Sequence, residues 1–264
     1  MDWTMKALLT AGAVLLVMVV ARRCGPRAAG VIAALPMITA PTLGWLAREE
    51  GVAYAVSAAV GSIAACAMLA AFALGYGLAA RRRGAAFALL GGLAGVLAAT
   101  LPVIAASARL VDALALAIVC SAIAFGVLPD AGQRAATAVR AVRPLTLALA
   151  AGAVTALVAT LGPALGSFAT GLLSSLPLIG ASVVVCEHTG GGHDAAARFL
   201  RGYVWGLFGK AAFGAVFALL VPRVGPAAAL ALGGGCAALM SAVRPPRWHL
   251  GPVTPPDPAL RRLD

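Results

Sequence analysis

The stretch GVIAALPMITAPTLGW, Gly30 to Trp45, carries two prolines and two threonines inside a run otherwise apolar enough for a lipid bilayer. Far downstream, GLLSSLPLIGASVVVC, Gly171 to Cys186, repeats the Leu-Pro step among serines. A proline inside a transmembrane helix removes a backbone donor and frees a carbonyl, which nearby hydroxyls or water must satisfy. Thr39, Thr42, Ser174, Ser175 and Ser182 stand close enough to Pro36, Pro41 and Pro177 to do so, or to face a polar cavity. An isolated break of this kind is an ordinary kink between packed helices. Two at matching places suggest a shared site.

The rest of the chain supports a membrane setting. Of its 264 residues 62% are hydrophobic and 11% charged, against about 45–50% and about 25% in soluble domains. Apolar blocks of about 18–25 residues are long enough to cross a hydrocarbon core as helices. They predict nine spans, over residues 5–21, 29–47, 53–79, 85–106, 110–128, 144–161, 167–186, 202–221 and 225–243, followed by a Pro-rich flexible tail over 244–264. The N-terminal block reads as a retained span and not a cleaved signal. The net charge of +11 resides in 18 arginines and 2 lysines, clustered between the blocks. No basic stripe with interleaved aromatics points to nucleic acid. Cys24, Cys66, Cys120, Cys186 and Cys236 are scattered singly in no metal or redox spacing, and read as small packing residues.

With nine spans the basic residues divide about 15 to 4 between the two faces. The rich face holds Arg22, Arg23, Arg27, Arg81, Arg82, Arg83, Arg134, Arg140, Arg143, Arg198 and Arg201, and the four tail arginines. The poor face holds Lys6, Arg48, Arg109 and Arg223. The positive-inside rule makes the rich face cytoplasmic, with the N-terminus outside and the C-terminus inside. Arginine in excess of lysine, with abundant Ala and Gly, suggests a bacterial chain, hence the inner membrane.

A shift of 141 positions superimposes Gly30 on Gly171, Leu35 on Leu176, Pro36 on Pro177, Gly51 on Gly192, Gly61 on Gly202, Ala70-Ala71-Phe72 on Ala211-Ala212-Phe213, and Gly84 on Gly225. About 18 of 63 ungapped positions match between Gly30 and Gly92. The expected fold is therefore an all-α integral membrane protein built of two four-helix repeats, 1–107 and 144–243. A central helix and cytoplasmic loop, 108–143, join them. Four spans per unit plus one between them give the second unit the opposite orientation, an inverted-topology repeat.

Lys210 falls in the middle of the predicted eighth span, roughly 13 Å or more from either end at about 1.5 Å per residue. A lysine there costs about 2.5–3.5 kcal/mol to insert and usually faces protein or water with a partner. It can serve as a counter-charge for an anion, as a proton carrier, or as half of a structural ion pair. Its counterpart in the first unit is Leu69. The stretch CEHTGGGHDAAARFLRG, Cys186 to Gly202, gathers Glu187, His188, His193 and Asp194 around three glycines. These residues could couple protons to transport, although a solvated hinge loop with Asp194 capping the next helix is the plainer reading. Their spacing fits no helical metal-ligand pattern. Small-residue stretches at 91–95 and 232–236 suggest close helix packing.

At GVIAALPMITAPTLGWLAREEG the chain resembles the GlpM-like family of bacterial membrane proteins, short four-span chains with a Gly, apolar run, Leu-Pro pattern in their second span. Leu35-Pro36 and Leu176-Pro177 are the matching residues. The resemblance implies a fused, inverted pair of such units, with the central span and Lys210 as departures, and it carries no activity. The expected function is secondary transport or export of a small, anionic solute. Lys210, Pro36, Thr39, Thr42, Ser174, Ser175, Pro177 and Ser182 would form the site, and Glu187, His188 and Asp194 would couple it. No enzyme activity, cofactor or metal is expected. The expected partners are the lipid bilayer, the solute and, as an option, a second copy of the chain. The alternatives are a lipid-processing membrane enzyme and a non-catalytic assembly subunit.

Overall fold

The computed structural model describes residues 25–81, 83–105, 109–129 and 164–243, together with Leu8, Gly12, Leu15, Val19 and Arg23. The predicted span over 144–161, the loop arginines Arg134, Arg140 and Arg143, and the tail lie outside the described residues. Within them the chain is all helical. In order come α1 (Pro26–Ala34), α2 (Thr39–Glu49), α3 (Val52–Ala80), α4 (Ala85–Ala105), α5 (Leu110–Val127), α6 (Ser167–Leu173) and α7 (Leu178–Ala242). Five stretches among them are long and apolar enough to cross a membrane: Pro26–Glu49, Val52–Ala80, Ala85–Ala105, Leu110–Val127 and Ile179–Ala242.

The last helical run is three rods. Gly192 (φ 70, ψ −171) and Gly225 (φ 79, ψ 168) take backbone angles that side-chain-bearing residues rarely adopt. They divide α7 into 178–191 (α7a), 193–224 (α7b) and 226–242 (α7c). The same device opens other helices, at Gly25 (φ 85), Gly51 (φ 94) and Gly166 (φ 84). Gly25 and Gly166 stand 141 positions apart, as do Gly51 and Gly192. Gly225 is the counterpart of Gly84.

Two expectations are corrected here. The stretch Cys186 to Gly202 is not a hinge loop, because helix continues on both sides of Gly192 and one glycine makes the whole turn. The eighth span accordingly begins at 193, not 202, and Arg201 lies inside it. The second span breaks once, at the Leu35-Pro36 step. Pro36 ends α1, whereas Pro41 sits in the first turn of α2, where a missing N–H has no helical acceptor to lose.

The core consists of α3 and α7b. Over α3 nearly every residue from Ala58 to Ala70 is buried, and α7b buries Phe199, Leu200, Val204, Leu207, Phe213 and Phe217. Helix α3 spans 29 residues, about 44 Å at about 1.5 Å per residue, longer than a hydrocarbon core of about 30 Å, so it tilts or protrudes. Around this pair the polarity is inverted relative to a soluble protein. Leu97, Leu101 and Ile104 of α4, and Val111 of α5, are more than half exposed, while Arg201, Glu187 and Lys210 are buried. Such an apolar exterior around a polar-containing interior is stable in lipid and not in water. The chain is a helical membrane protein.

Glycine sets how closely the helices approach. A β-carbon at Gly30 of α1 would overlap the Phe199 carbonyl of α7b and fall 2.6 Å from the Tyr203 amide nitrogen. A β-carbon at Gly171 of α6 would overlap the Ala58 carbonyl of α3 and fall 2.9 Å from the Ser62 amide nitrogen. The reciprocal glycines, Gly202 against Arg27 and Gly61 against Phe168, are equally tight. Every residue of the second crossing stands 141 positions from its counterpart in the first. The 91–95 stretch does pack as its small residues suggest, with Gly91 of α4 against Gly75 of α3. In the 232–236 stretch Gly233 meets Phe213, while Gly234 and Gly235 face open space. Cys66 and Cys186 are buried free thiols, in keeping with a packing role.

Candidate functional site

Both Leu-Pro steps end one helix and start another. At the first, the Leu35 N–H bonds the Ile32 carbonyl (3.1 Å), and the Pro36 carbonyl then accepts from Ala40 (2.7 Å) to open α2. At the second, the Leu176 N–H bonds the Leu173 carbonyl (3.2 Å), and the Pro177 carbonyl accepts from Ala181 (2.7 Å) to open α7a. Each break therefore presents the carbonyl end of one short helix and the N–H end of the next. Thr42 closes part of the first break by donating from Oγ1 to the Ile38 carbonyl at 2.8 Å, and Ser174 Oγ donates to the Gly171 carbonyl at 2.8 Å.

The two breaks meet in one cavity of about 40 Å³, large enough for a water or two but not for a bulky solute in this conformation. Most of its lining falls in pairs 141 positions apart: Ala33 with Ser174, Ala34 with Ser175, Leu35 with Leu176, Ile38 with Ile179, Thr39 with Gly180, and Leu69 with Lys210. Ile32, Met37 and Tyr203 complete it outside these pairs. Wherever the two members of a pair differ in polarity, one is a hydroxyl or ammonium and the other is small or apolar. The second half contributes Ser174, Ser175 and Lys210, the first Thr39.

Four of the residues proposed from sequence thus come together: Lys210, Thr39, Ser174 and Ser175. Pro36 and Pro177 are buried and shape the breaks without lining the cavity. Thr42 and Ser182 are half-buried and do not line the cavity. Lys210 is 6% exposed and lies near the middle of α7b. Among the described residues no carboxylate stands within ion-pair distance of it. That matters because an ammonium taken out of water without a counter-charge is costly.

Glu187 and His188 lie toward the far end of α7a and Asp194 in the first turn of α7b, and none of them lines the cavity. His188 Nδ1 and Tyr76 Oη are 3.1 Å apart, with the rings edge to face. Glu187 is 3% exposed, and Arg198 supplies the opposite charge in its surroundings. Asp194 is exposed and lies 3.3 Å from His193 Nδ1. These groups do not converge: among the described residues no three His, Cys, Asp or Glu side chains are arranged to hold a metal.

Two features escaped the sequence reading. Arg201, counted there with the face-setting arginines, is 1% exposed, donates to the Phe125 (3.1 Å) and Leu128 (2.8 Å) carbonyls, and stacks 4.2 Å over the Phe125 ring. It caps the C-terminal end of α5, where carbonyls lack helical partners. The second is a row of hydroxyl pairs joining α3 to α6: Ser57 with Ser167 (2.8 Å), Tyr54 with Thr170 (3.0 Å) and Ser62 with Ser175 (3.0 Å). Ser167, Thr170 and Ser175 supply the second member of each pair, and the sequence carries these hydroxyls openly. What they face becomes known only from the packing. No protein-family model, curated protein or solved structure matches the chain.

Proposed function

We propose that the chain is a secondary transporter of a small anionic solute, bound between two broken helices at the membrane midplane and anchored by Lys210. The observation that carries this reading is the cavity. Both Leu-Pro breaks open into it, the hydroxyls of Thr39, Ser174 and Ser175 line it, and its one ammonium has no carboxylate near it among the described residues. An arriving anion supplies the missing counter-charge, and hydroxyls and helix N–H ends replace its water.

The reading also takes the chain as two inverted four-helix units around α5. Its support is the recurrence at 141 positions of the helix-opening glycines, the helix breaks, the tight crossings and the cavity lining. Rocking one unit against the other then exposes the cavity to each face in turn. The arginine distribution places α1 and α7b starting from the cytoplasmic face. Glu187 and His188, outside the cavity that holds Lys210, are the groups available to couple a proton.

The test is ligand-dependent stability. The purified protein is melted with sodium chloride, nitrate, formate or phosphate at constant ionic strength. At least one anion raises the midpoint of the wild type by several degrees and leaves Lys210→Met unmoved. Equal shifts in both proteins for every anion remove Lys210 from the site.

A further inference from the structure

The two crossings share a backbone but not a chemistry. Helix α6 meets α3 through Ser57–Ser167, Tyr54–Thr170 and Ser62–Ser175. Exposure falls along this row, from Gly51 and Gly166 at the open end, through half-buried Ser57 and Ser167, to Thr170 at 2% and Ser175 at 3%. From Ser167 to Ser175 is eight residues, about 12 Å at about 1.5 Å each, which carries the row from one end of the bundle to the cavity. Beyond the cavity the same partners continue it, with Tyr76 of α3 bonded to His188 of α7a and buried Glu187 beside it. At the other crossing, α1 carries Ala29, Ala33 and Ala34 where α6 and the break after it carry Thr170, Ser174 and Ser175, and α7b carries Arg198 and Tyr203 where α3 carries Ser57 and Ser62. Ala47 and Phe217 stand where His188 and Tyr76 do.

We infer that water and solute reach the cavity only along the seam between α3 and the second broken helix, α6 with α7a, while the seam between α1 and α7b stays shut. This rests on the transport reading and assigns its moving part. Hydroxyls bonded to each other exchange partners with water at little net cost when the helices part. Helix α1 carries no hydroxyl, so parting it from α7b exposes its alanines without releasing a hydroxyl pair to water. The second broken helix therefore moves against α3, and the first rides with α7b as a fixed unit.

The test is labelling of single cysteines by a membrane-impermeant charged maleimide, in vesicles of both orientations. The background has Cys24, Cys66, Cys120, Cys186 and Cys236 replaced by alanine. Thr170→Cys is expected to react at least tenfold faster than Ala29→Cys, from the face that carries Gly166. His188→Cys is expected to react at least tenfold faster than Ala47→Cys, from the opposite face. Equal rates within both pairs, or faster reaction at Ala29→Cys and Ala47→Cys, overturn the assignment. Should Thr170→Cys not fold, Ser167→Cys against Pro26→Cys reads the same seam. Labelling needs no flux, so an intact pattern in a protein that moves no chloride, nitrate, formate or phosphate counts against transport and leaves the seam standing.

Discussion

The crossing of α1 with α7b and that of α6 with α3 are built from the same glycines and differ in almost every side chain around them. Gly30, Gly202, Gly61 and Gly171 let backbones touch in both places. One seam then carries alanine on its α1 side, and the other carries hydroxyls on both of its sides. Close approach requires glycine whatever surrounds it, so that requirement is met twice. The hydroxyl pairs occur at one crossing alone among the described residues, and each half of the chain supplies one member of every pair.

The comparison predicts first where the two crossings must behave alike. Gly30→Leu and Gly171→Leu each drive a side chain into a facing backbone carbonyl that has no room to shift. Both are expected to abolish folding, with losses beyond the range of about 1–3 kcal/mol typical of overpacking. Yield of monodisperse protein checks this, and a well-folded Gly171→Leu beside an unfolded Gly30→Leu would break the equivalence. The next effect is smaller and one-sided. Arg201 has Val60 as its counterpart, because α5 docks at only one place. Arg201→Met leaves the Phe125 and Leu128 carbonyls without their charged donor and is expected to cost about 1.5–3 kcal/mol, read by thermal melting. The smallest effect belongs to the hydroxyl row. A double-mutant cycle of Ser62→Ala and Ser175→Ala is expected to give a coupling of about 0.5–1.5 kcal/mol. A coupling near zero would mean that the seam is not held by its hydroxyls.

Much of this contrast could be read from the chain before its fold was known. The Leu-Pro steps and the mid-helix position of Lys210 are local features: a helix ends and another begins at each step, and Lys210 is buried within α7b. Gly225 marks the start of a rod as predicted. The stretch Cys186 to Gly202 was misread because its glycines and charges resemble a loop. Only Gly192 leaves the helical region there, and tertiary packing keeps its neighbours helical. Arg201 was misplaced for a related reason. Its role depends on the end of α5 lying against α7b, a contact 73 residues away in sequence. The hydroxyl stripe on α6 was visible as spacing, while its partners Tyr54, Ser57 and Ser62 lie more than 100 residues earlier and have no local signature.

The central claim is that Lys210 is a binding charge and not a structural one. Lys210→Met tests it most directly, with anion flux measured in proteoliposomes beside the melting temperature of the same preparation. An ammonium with no carboxylate beside it opposes folding, so its removal should leave the melting temperature unchanged or higher. Flux of the anion that stabilises the wild type should fall by at least a hundredfold. Wild-type flux in a folded Lys210→Met protein would contradict the account.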